Sequence, residues 1–407
     1  MQTFSAAERK KYYAYDQYGD NPMTPIGPVG IVPMNGSREF SAMVNQHLIN
    51  RRADYGKDSS DLQFPGFLRE DYRLNAICTR EPTGEGKALF TDSVRGHDLF
   101  ILCDVMNYSV TYDFYGRQKP MTPDEHYQDL KRIILAASGK SRRINVFMPF
   151  LYESRQHRRS SRESLDCAYM LEELDNLGVD NLITFDAHDP RVSNAVPISG
   201  FESIPLHYQI LKALVNKVDN FDLNSGNLIL ISPDEGAINR VMYYSAILKA
   251  PLGTFYKRRD YTTVEQGRNP ILSHEFLGSD VKGKDVLIVD DMISSGDSML
   301  DIAREMKKRE AGRVFCAVSF ALFTSGLSRF DEAYEEGYID GVLGSNLTYR
   351  TPELLARPWF IDVDCSKFVA LLVDAINHDS SLSSLIDQTE KIQGLLHKTY
   401  SGNEEKE

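Results

Sequence analysis

Long apolar runs are missing from this chain of 407 residues. Nothing approaches the roughly 20 consecutive apolar residues that span a bilayer, so no membrane helix is expected. The N-terminus carries Tyr12, Tyr13, Tyr15 and Tyr18 on a polar background instead of an apolar core, so no secretory leader is expected either. Cysteine is scarce. The five thiols, Cys78, Cys103, Cys167, Cys316 and Cys365, form no CxxC pair. An odd, scattered set suits a reducing, cytoplasmic compartment better than a disulfide framework. A basic excess is also absent: 46 Lys and Arg stand against 58 Asp and Glu, a formal charge of −12. That balance argues against a general binder of nucleic acid or of anionic membrane. There is no HExxH, no G-x-x-x-x-G-K-[ST] and no G-x-S-x-G. Zinc, a Walker-type ATP cradle and a hydrolase nucleophile elbow therefore have no support.

What is present is an ordinary globular composition, 42% hydrophobic and 26% charged, in a chain long enough for about two to three domains. Short apolar runs at 28–34, 98–105, 144–150, 181–186, 227–232, 252–256, 285–289 and 313–321 read as strands. Helical spacing occupies 38–50, 124–138, 163–176, 207–218, 236–248, 297–309, 328–335 and 366–377. Such alternation predicts an α/β fold with mainly parallel sheets flanked by helices, in two similar halves meeting near residue 204. The expected organisation is an extension over 1–25, a domain over 26–203, a second over 204–380 and a polar tail over 381–407, unstructured from about 395. Segment 51–77 is polar and weakly periodic, and is expected to be a loop insertion.

The densest chemistry follows the run Val286–Val289. Asp290 and Asp291 close it, Ser294, Ser295 and Gly296 make a small-residue turn, and Asp297 and Ser298 open a helical pattern. Loop N–H groups and a helix N-terminus can hold a phosphate, while paired carboxylates accept from ribose hydroxyls or attract hydrated Mg²⁺. An ordinary βα turn with a solvated acidic pair would also fit. Other strand tips are similarly equipped. Arg155, Arg158, Arg159 and Arg162, with Arg142 and Arg143 upstream, surround one strand end; guanidinium groups suit a triphosphate, and equally suit a solvated face. Lys257-Arg258-Arg259 follows the run 252–256 and precedes the strand-poor stretch 260–280. That is either a mobile loop closing over a transferring phosphoryl group or an exposed hairpin. Asp186, His188 and Asp234 sit at two further tips, where they could help hold Mg²⁺, although a lone histidine is more often structural.

The run from Val286 to Ser298 resembles the phosphoribosyl-diphosphate (PRPP) binding signature of type I phosphoribosyltransferases and PRPP synthetases. The order of motifs over about residues 28–375 is similar to the ribose-phosphate pyrophosphokinase (PRPP synthetase) family. Gly36-Ser37-Arg38-Glu39, Ser93-Val94-Arg95-Gly96-His97-Asp98, Pro149–Arg159, Asp186-Ala187-His188, Ser232-Pro233-Asp234 with Gly236 and Arg240, and Lys257-Arg258-Arg259 each match a family segment. The resemblance implies two tandem phosphoribosyltransferase-like domains in a homo-oligomer. The activity it implies is Mg²⁺-dependent transfer of diphosphate from ATP to ribose 5-phosphate, giving PRPP and AMP. It further implies ATP contacts from Arg155, Gln156, Arg158 and Glu85, and ribose-phosphate contacts from Asp290, Asp291, Ser294, Ser295, Gly296, Asp297 and Ser298. Mg²⁺ ligands at His188 and Asp234 and catalytic cations at Lys257 and Arg259 complete the set. The adenine-facing F-x-D-G-E of the family stands here as Glu81-Pro82-Thr83-Gly84-Glu85, without its aromatic or its aspartate. Looser discrimination among nucleoside triphosphates is therefore expected. A catalytically silent regulatory subunit and a phosphoribosyltransferase that consumes PRPP are the competing readings.

Overall fold

The computed structural model describes residues 24–54, 64–159, 161–223, 226–259 and 271–404. They form two compact units. The first takes the described residues up to Thr184, together with Arg191–Glu202 and Ser366–Asp387. The second takes Phe185–Pro190, Ser203–Cys365 and the described residues from Gln388 onward. The division is not a single cut, because the helix Ser366–Asn377 belongs to the first unit although it follows the second in sequence.

In the first unit, strands β1 (Val29–Pro33), β4 (Asp98–Leu102), β7 (Arg143–Phe147), β8 (Asn181–Phe185) and β9 (Gly200–Ile204) make a sheet in the order β1-β4-β7-β8-β9. The first four are parallel, in register Val29↔Asp98, Asp98↔Arg143 and Asn145↔Asn181. All five residues of β4 are buried, as a parallel strand covered on both faces requires. Helix Pro123–Ala137 starts where its sequence dictates. Thr122 and Glu125 close a reciprocal capping box, and Pro123 occupies the first helical position. Two hairpins escaped the strand–helix alternation because their strands are short and partly polar. They are β2 (Ala76–Arg80) with β3 (Gly86–Phe90), and β5 (Thr111–Phe114) with β6 (Arg117–Pro120). The turn between β5 and β6 is Tyr115-Gly116, with φ of 50° and 75°. Positive φ at both positions favours Asn or Gly, and a Cβ there costs roughly 1–2 kcal/mol.

The expected loop at 51–77 is anchored to the core at several of its described residues. Phe67 and Tyr72 are buried, and Arg73 bridges to Ile31 of β1; residues 55–63 lie outside the described set, as does most of the 1–25 extension. Arg52 explains the packing. Its guanidinium lies 4.4 Å from the Phe67 ring centroid and 5.2 Å from that of Tyr72. It donates to Asp374 at 3.0 Å and to Asn377 at 2.8 Å. Asn377 donates in turn to Asp98 at 2.9 Å, as do Arg143 through two nitrogens at 2.9 Å and Asn145 at 2.8 Å. This network ties helix Ser366–Asn377 to helix Arg38–Ala53 and to the start of β4 and β7. It also corrects the grouping of Arg142 and Arg143 with the downstream arginines: Arg143 opens β7 and serves Asp98, while Arg142 donates to the Ile26 carbonyl.

The second unit holds a seven-stranded sheet in the order β12-β11-β10-β13-β14-β15-β16. Its members are β10 (Leu228–Ser232), β11 (Leu252–Arg259), β12 (Ile271–Leu277), β13 (Asp285–Ile293), β14 (Val314–Ala321), β15 (Gly341–Ser345) and β16 (Phe360–Val363). Neighbours are parallel except β11 with β12, which pair antiparallel from Thr254↔Leu277 to Arg259↔Ile271. So the basic triplet lies within a strand of a hairpin, and part of the strand-poor stretch is a strand; residues 260–270 lie outside the described set. Helix Asp297–Lys308 buries Met299, Leu300, Ile302, Ala303 and Met306, the stripe its spacing predicts. At the C-terminus, a helix runs over Thr389–Glu404 where an unstructured tail was expected.

Replacing Asp98 by Ala would leave the Arg143 guanidinium and the Asn145 and Asn377 amides short of their shared acceptor. The expected loss is about 3–5 kcal/mol of folding stability, measurable by equilibrium urea denaturation. A loss below about 1 kcal/mol would mean that the network readily re-forms around other acceptors.

Candidate active site

A dense cluster of charge lies within the second unit, around the C-terminal part of β13. The strand does not stop before the acidic pair but carries it, with Asp290 opposite Val318 and the strand continuing to Ile293 opposite Ala321. Successive residues of a strand point to opposite faces, so the two carboxylates have different surroundings. Asp291 is buried and its Oδ2 lies 2.7 Å from Nδ1 of His188. Asp290 keeps about a quarter of its side-chain surface and faces Arg240, Nη1 to Oδ1 being 3.7 Å. The same guanidinium reaches Asp186 at 3.9 Å. Asp186 has φ of 38° and accepts from the Leu206 N–H at 3.3 Å and from the Ser319 hydroxyl.

Three carboxylates and one imidazole thus surround one largely buried guanidinium. Burial opposes the Arg240 charge, but Asp186, Asp291 and Asp290 together hold its pKa above the ordinary value. Burial and the charge of Asp291 push Asp290 upward. Burial also opposes ionisation of Asp291, yet its hydrogen bond from His188 and the charge of Arg240 keep it below the ordinary range. The bond to Asp291 raises the His188 pKa against desolvation. The pair therefore holds one firmly ionised carboxylate and one that accepts a proton readily.

β13 leads directly into the small-residue turn. Gly296 has φ of 84°, and a Cβ there would meet the Phe330 ring at 2.4 Å, so only glycine fits. Helix Asp297–Lys308 then begins without a side-chain cap from its N-cap residue Gly296, and its Asp297 N–H donates to Ser295 Oγ at 3.5 Å; the N–H groups that follow in the first turn face an anion site. Ser294 is braced by Thr324, whose N–H donates to the Ser294 carbonyl at 2.9 Å. Asp297 pairs with Arg329.

Of the residues expected at the site, the structure joins His188, Asp290 and Asp291, and continues them into Ser294–Ser298. Asp234 also shapes a turn: its Oδ1 accepts from the Gly236 and Ala237 N–H groups at 2.9 and 3.3 Å, at the entry to helix Ile238–Leu248. Among the described residues, no group of three or more His, Cys, Asp or Glu side chains converges as a metal cage. The oxygen donors of the acidic pair suit Mg²⁺, which takes one or two carboxylates and otherwise keeps water or phosphate. In the first unit, Arg155, Gln156 and Arg158 are exposed in the segment that follows β7. Glu85 lies in the turn between β2 and β3, accepting from the Thr83 hydroxyl at 3.1 Å. Lys257 and Arg259 belong to β11.

Sequence reasoning gave no role to the residues behind Arg240. His207 stacks on Tyr243 at 4.1 Å and meets Tyr244 edge-on at 4.7 Å. Both its ring nitrogens and the Tyr244 hydroxyl are buried without a hydrogen-bond partner among the described residues. Nothing in a linear motif marks them; only the fold brings His207 and Tyr244 within the electrostatic reach of Asp186 and Arg240.

Comparison with known proteins agrees with this architecture. Residues 29–178 match the N-terminal domain of ribose phosphate pyrophosphokinase, and residues 199–330 match the phosphoribosyl transferase domain. A ribose-phosphate pyrophosphokinase of Vibrio parahaemolyticus is 26% identical over 318 residues, covering 77% of this chain and 91% of the relative. That of Chlorobaculum tepidum is 28% identical over 244 residues, covering 59% and 67%. The crystal structure of phosphoribosylpyrophosphate synthetase from Mycobacterium smegmatis has the same fold. It superposes with a TM-score of 0.66 at 17% identity, over 86% of this chain and 99% of that one. Fold and motifs define a protein of two phosphoribosyltransferase-like α/β domains. The chain belongs to the ribose-phosphate pyrophosphokinase family of enzymes.

Burial holds the His207 imidazole down to about 4, well below its ordinary 6.5. The native state therefore binds fewer protons than the unfolded chain between those values. The stability this contributes is fully present above pH 6.5 and is lost as pH falls toward 4. Urea denaturation at pH 7 and pH 5 should show a loss on the order of 2 kcal/mol from this group. The loss should shrink in His207→Phe, and an unchanged acid limb in that variant would remove His207 as its source.

Proposed function

We propose that this enzyme transfers the diphosphate group of ATP to the anomeric hydroxyl of ribose 5-phosphate, giving PRPP and AMP, with Mg²⁺ as the metal. The observation that carries the proposal is β13 delivering an acidic pair, a glycine-dependent turn and an uncapped helix start in one continuous segment. The uncapped N–H groups and the hydroxyls of Ser294, Ser295 and Ser298 suit the 5-phosphate. Asp290 and Asp291 suit the ribose hydroxyls. The names of the curated relatives support the same reaction.

In the reaction, the C1 hydroxyl oxygen bonds to the β-phosphorus. The bond from that phosphorus to the oxygen bridging α and β breaks, the hydroxyl proton is lost, and AMP departs with the bridging oxygen. Little of this is covalent work for protein side chains; positioning and charge neutralisation dominate. Arg155, Gln156, Arg158 and Glu85 hold ATP in this reading. Mg²⁺, with His188, Asp234 and the acidic pair as the residues toward it, would neutralise phosphate charge. Lys257 and Arg259 meet the charge that develops on the transferring group. Arg240 fixes the acidic pair electrostatically. Four of the five thiols are buried, which suits the reducing cytoplasm, and a homo-oligomer is the assembly the family implies.

The test is AMP and PRPP formation from ATP and ribose 5-phosphate with Mg²⁺ in excess. Lys257→Ala should lower kcat by about 10²-fold, as loss of a transition-state electrostatic partner does; a kcat like that of the wild type would remove Lys257 from the mechanism. No turnover with any nucleoside triphosphate, from folded protein that still binds ribose 5-phosphate, would favour a regulatory subunit instead.

A further inference from the structure

We infer that Tyr115 supplies the aromatic face on which the nucleobase of the triphosphate stacks, in place of the aromatic that Glu81 lacks. The inference rests on the reading above, in which the turn at Glu85 meets ATP. Its observations are those of the two hairpins of the first unit.

Tyr115 is 74% exposed, yet it occupies a backbone position that disfavours a bulky side chain, φ being 50° with Gly116 following at 75°. Burial does not compensate that strain. A bulky residue kept in such a conformation at the surface points to a use for its side chain. The ring is braced rather than loose: Phe114 meets it edge-on at 5.0 Å and 83°, and Tyr112 meets Phe114 at 6.1 Å and 74°. Lys119 Nζ lies 5.3 Å from the Phe114 centroid.

The tip is also fastened to the altered turn. The Tyr115 N–H donates to the Pro82 carbonyl at 3.0 Å. Gly84 has φ of 94°, and a Cβ there would meet Phe114 at 3.1 Å, so the turn and the neighbouring hairpin are fitted to each other. The turn closes on itself through Gly84 N–H to Glu81 O at 2.7 Å and Glu81 N–H to Glu85 O at 2.8 Å. Thr83 and Glu85 are exposed in that turn. An open aromatic face beside a hydroxyl and a carboxylate is the equipment that recognises a heterocycle with exocyclic donors: the ring stacks, and the oxygens accept from its edge. The aromatic missing from one hairpin is carried by the next, and the expected loosening of nucleotide binding is offset.

The test uses the full chain. Binding of ATP and of inorganic tripolyphosphate, which lacks a base, is measured for wild type, Tyr115→Ala, Tyr115→Phe and Tyr115→Asn, together with KM and kcat. Tyr115→Ala should weaken ATP about tenfold or more, the scale of one lost base stack. Tripolyphosphate binding and kcat should stay within about twofold, as expected for a lost contact remote from the reacting phosphates. Tyr115→Phe should bind ATP like the wild type. Tyr115→Asn should melt at a higher temperature, because Asn tolerates positive φ, while losing the same ATP affinity; a folding defect cannot produce that combination. Unchanged ATP affinity in Tyr115→Ala overturns the inference and leaves the reaction untouched. Equal weakening of ATP and tripolyphosphate, or a change of sedimentation coefficient accompanying the loss, also overturns it, the latter by making Tyr115 a contact between copies. Wild-type protein that binds no ATP overturns the nucleotide reading itself, and this inference with it.

Discussion

One guanidinium governs the second unit. Arg240 stands 3.9 Å from Asp186 and 3.7 Å from Asp290, and it lowers the cost of ionising Asp291. Without it, three carboxylates at the end of a parallel sheet would repel one another in a poorly solvated place, and burial would drive them to neutralise. With it, the acidic pair can sit inside β13, in the segment that becomes the small-residue turn and then the helix. Helix Ile238–Leu248, which carries Arg240, is in turn positioned by the Asp234 carboxylate, which accepts from the two N–H groups just before it. The acidic residues of the site are thus a chain of dependencies. Asp234 shapes the turn, the helix places Arg240, and Arg240 permits Asp290 and Asp291.

Much of this was legible in the sequence, for a simple reason. Parallel strands buried on both faces are written as unbroken β-branched and aliphatic runs, and the strand candidates at 98–105, 144–150, 227–232 and 313–321 all became sheet strands. The amphipathic stripe of Asp297–Lys308 was equally direct. What could not be read was structure without that signature. β5 and β6, from Thr111 to Pro120, are four residues each, hold only exposed and half-buried residues and bury no apolar run, so a period-based reading passes over them. β13 was read short because carboxylates look like a strand's end. They remain in register because a guanidinium and an imidazole replace water there. Arg143 was placed with the wrong arginines because adjacency in sequence said nothing of which end of β7 it would occupy. Helix Ser366–Asn377 was recognised as a helix, but its unit was set by Asp374 and Asn377, buried polar residues whose partners lie more than 270 positions away.

The two units use buried polarity in opposite ways. In the first, Asp98 is fully enclosed and accepts from Arg143 twice, from Asn145 and from Asn377, all between 2.8 and 2.9 Å. A network so completely satisfied is rigid and specifies one arrangement of its helices. In the second, the Arg240 contacts are 3.7 and 3.9 Å, beyond hydrogen-bond length. The His207 nitrogens and the Tyr244 hydroxyl behind them have no hydrogen-bond partners among the described residues. Buried polar groups left short of partners cost stability, and folds keep such groups where function requires them. The contrast supports assigning scaffold to the Asp98 cluster and chemistry to the Arg240 cluster, although both are dense in charge and both contain motifs shared with the family. A motif match alone does not separate the two roles; Asp98 spends its carboxylate on four bonds, whereas Asp290 keeps about a quarter of its side-chain surface beside Arg240.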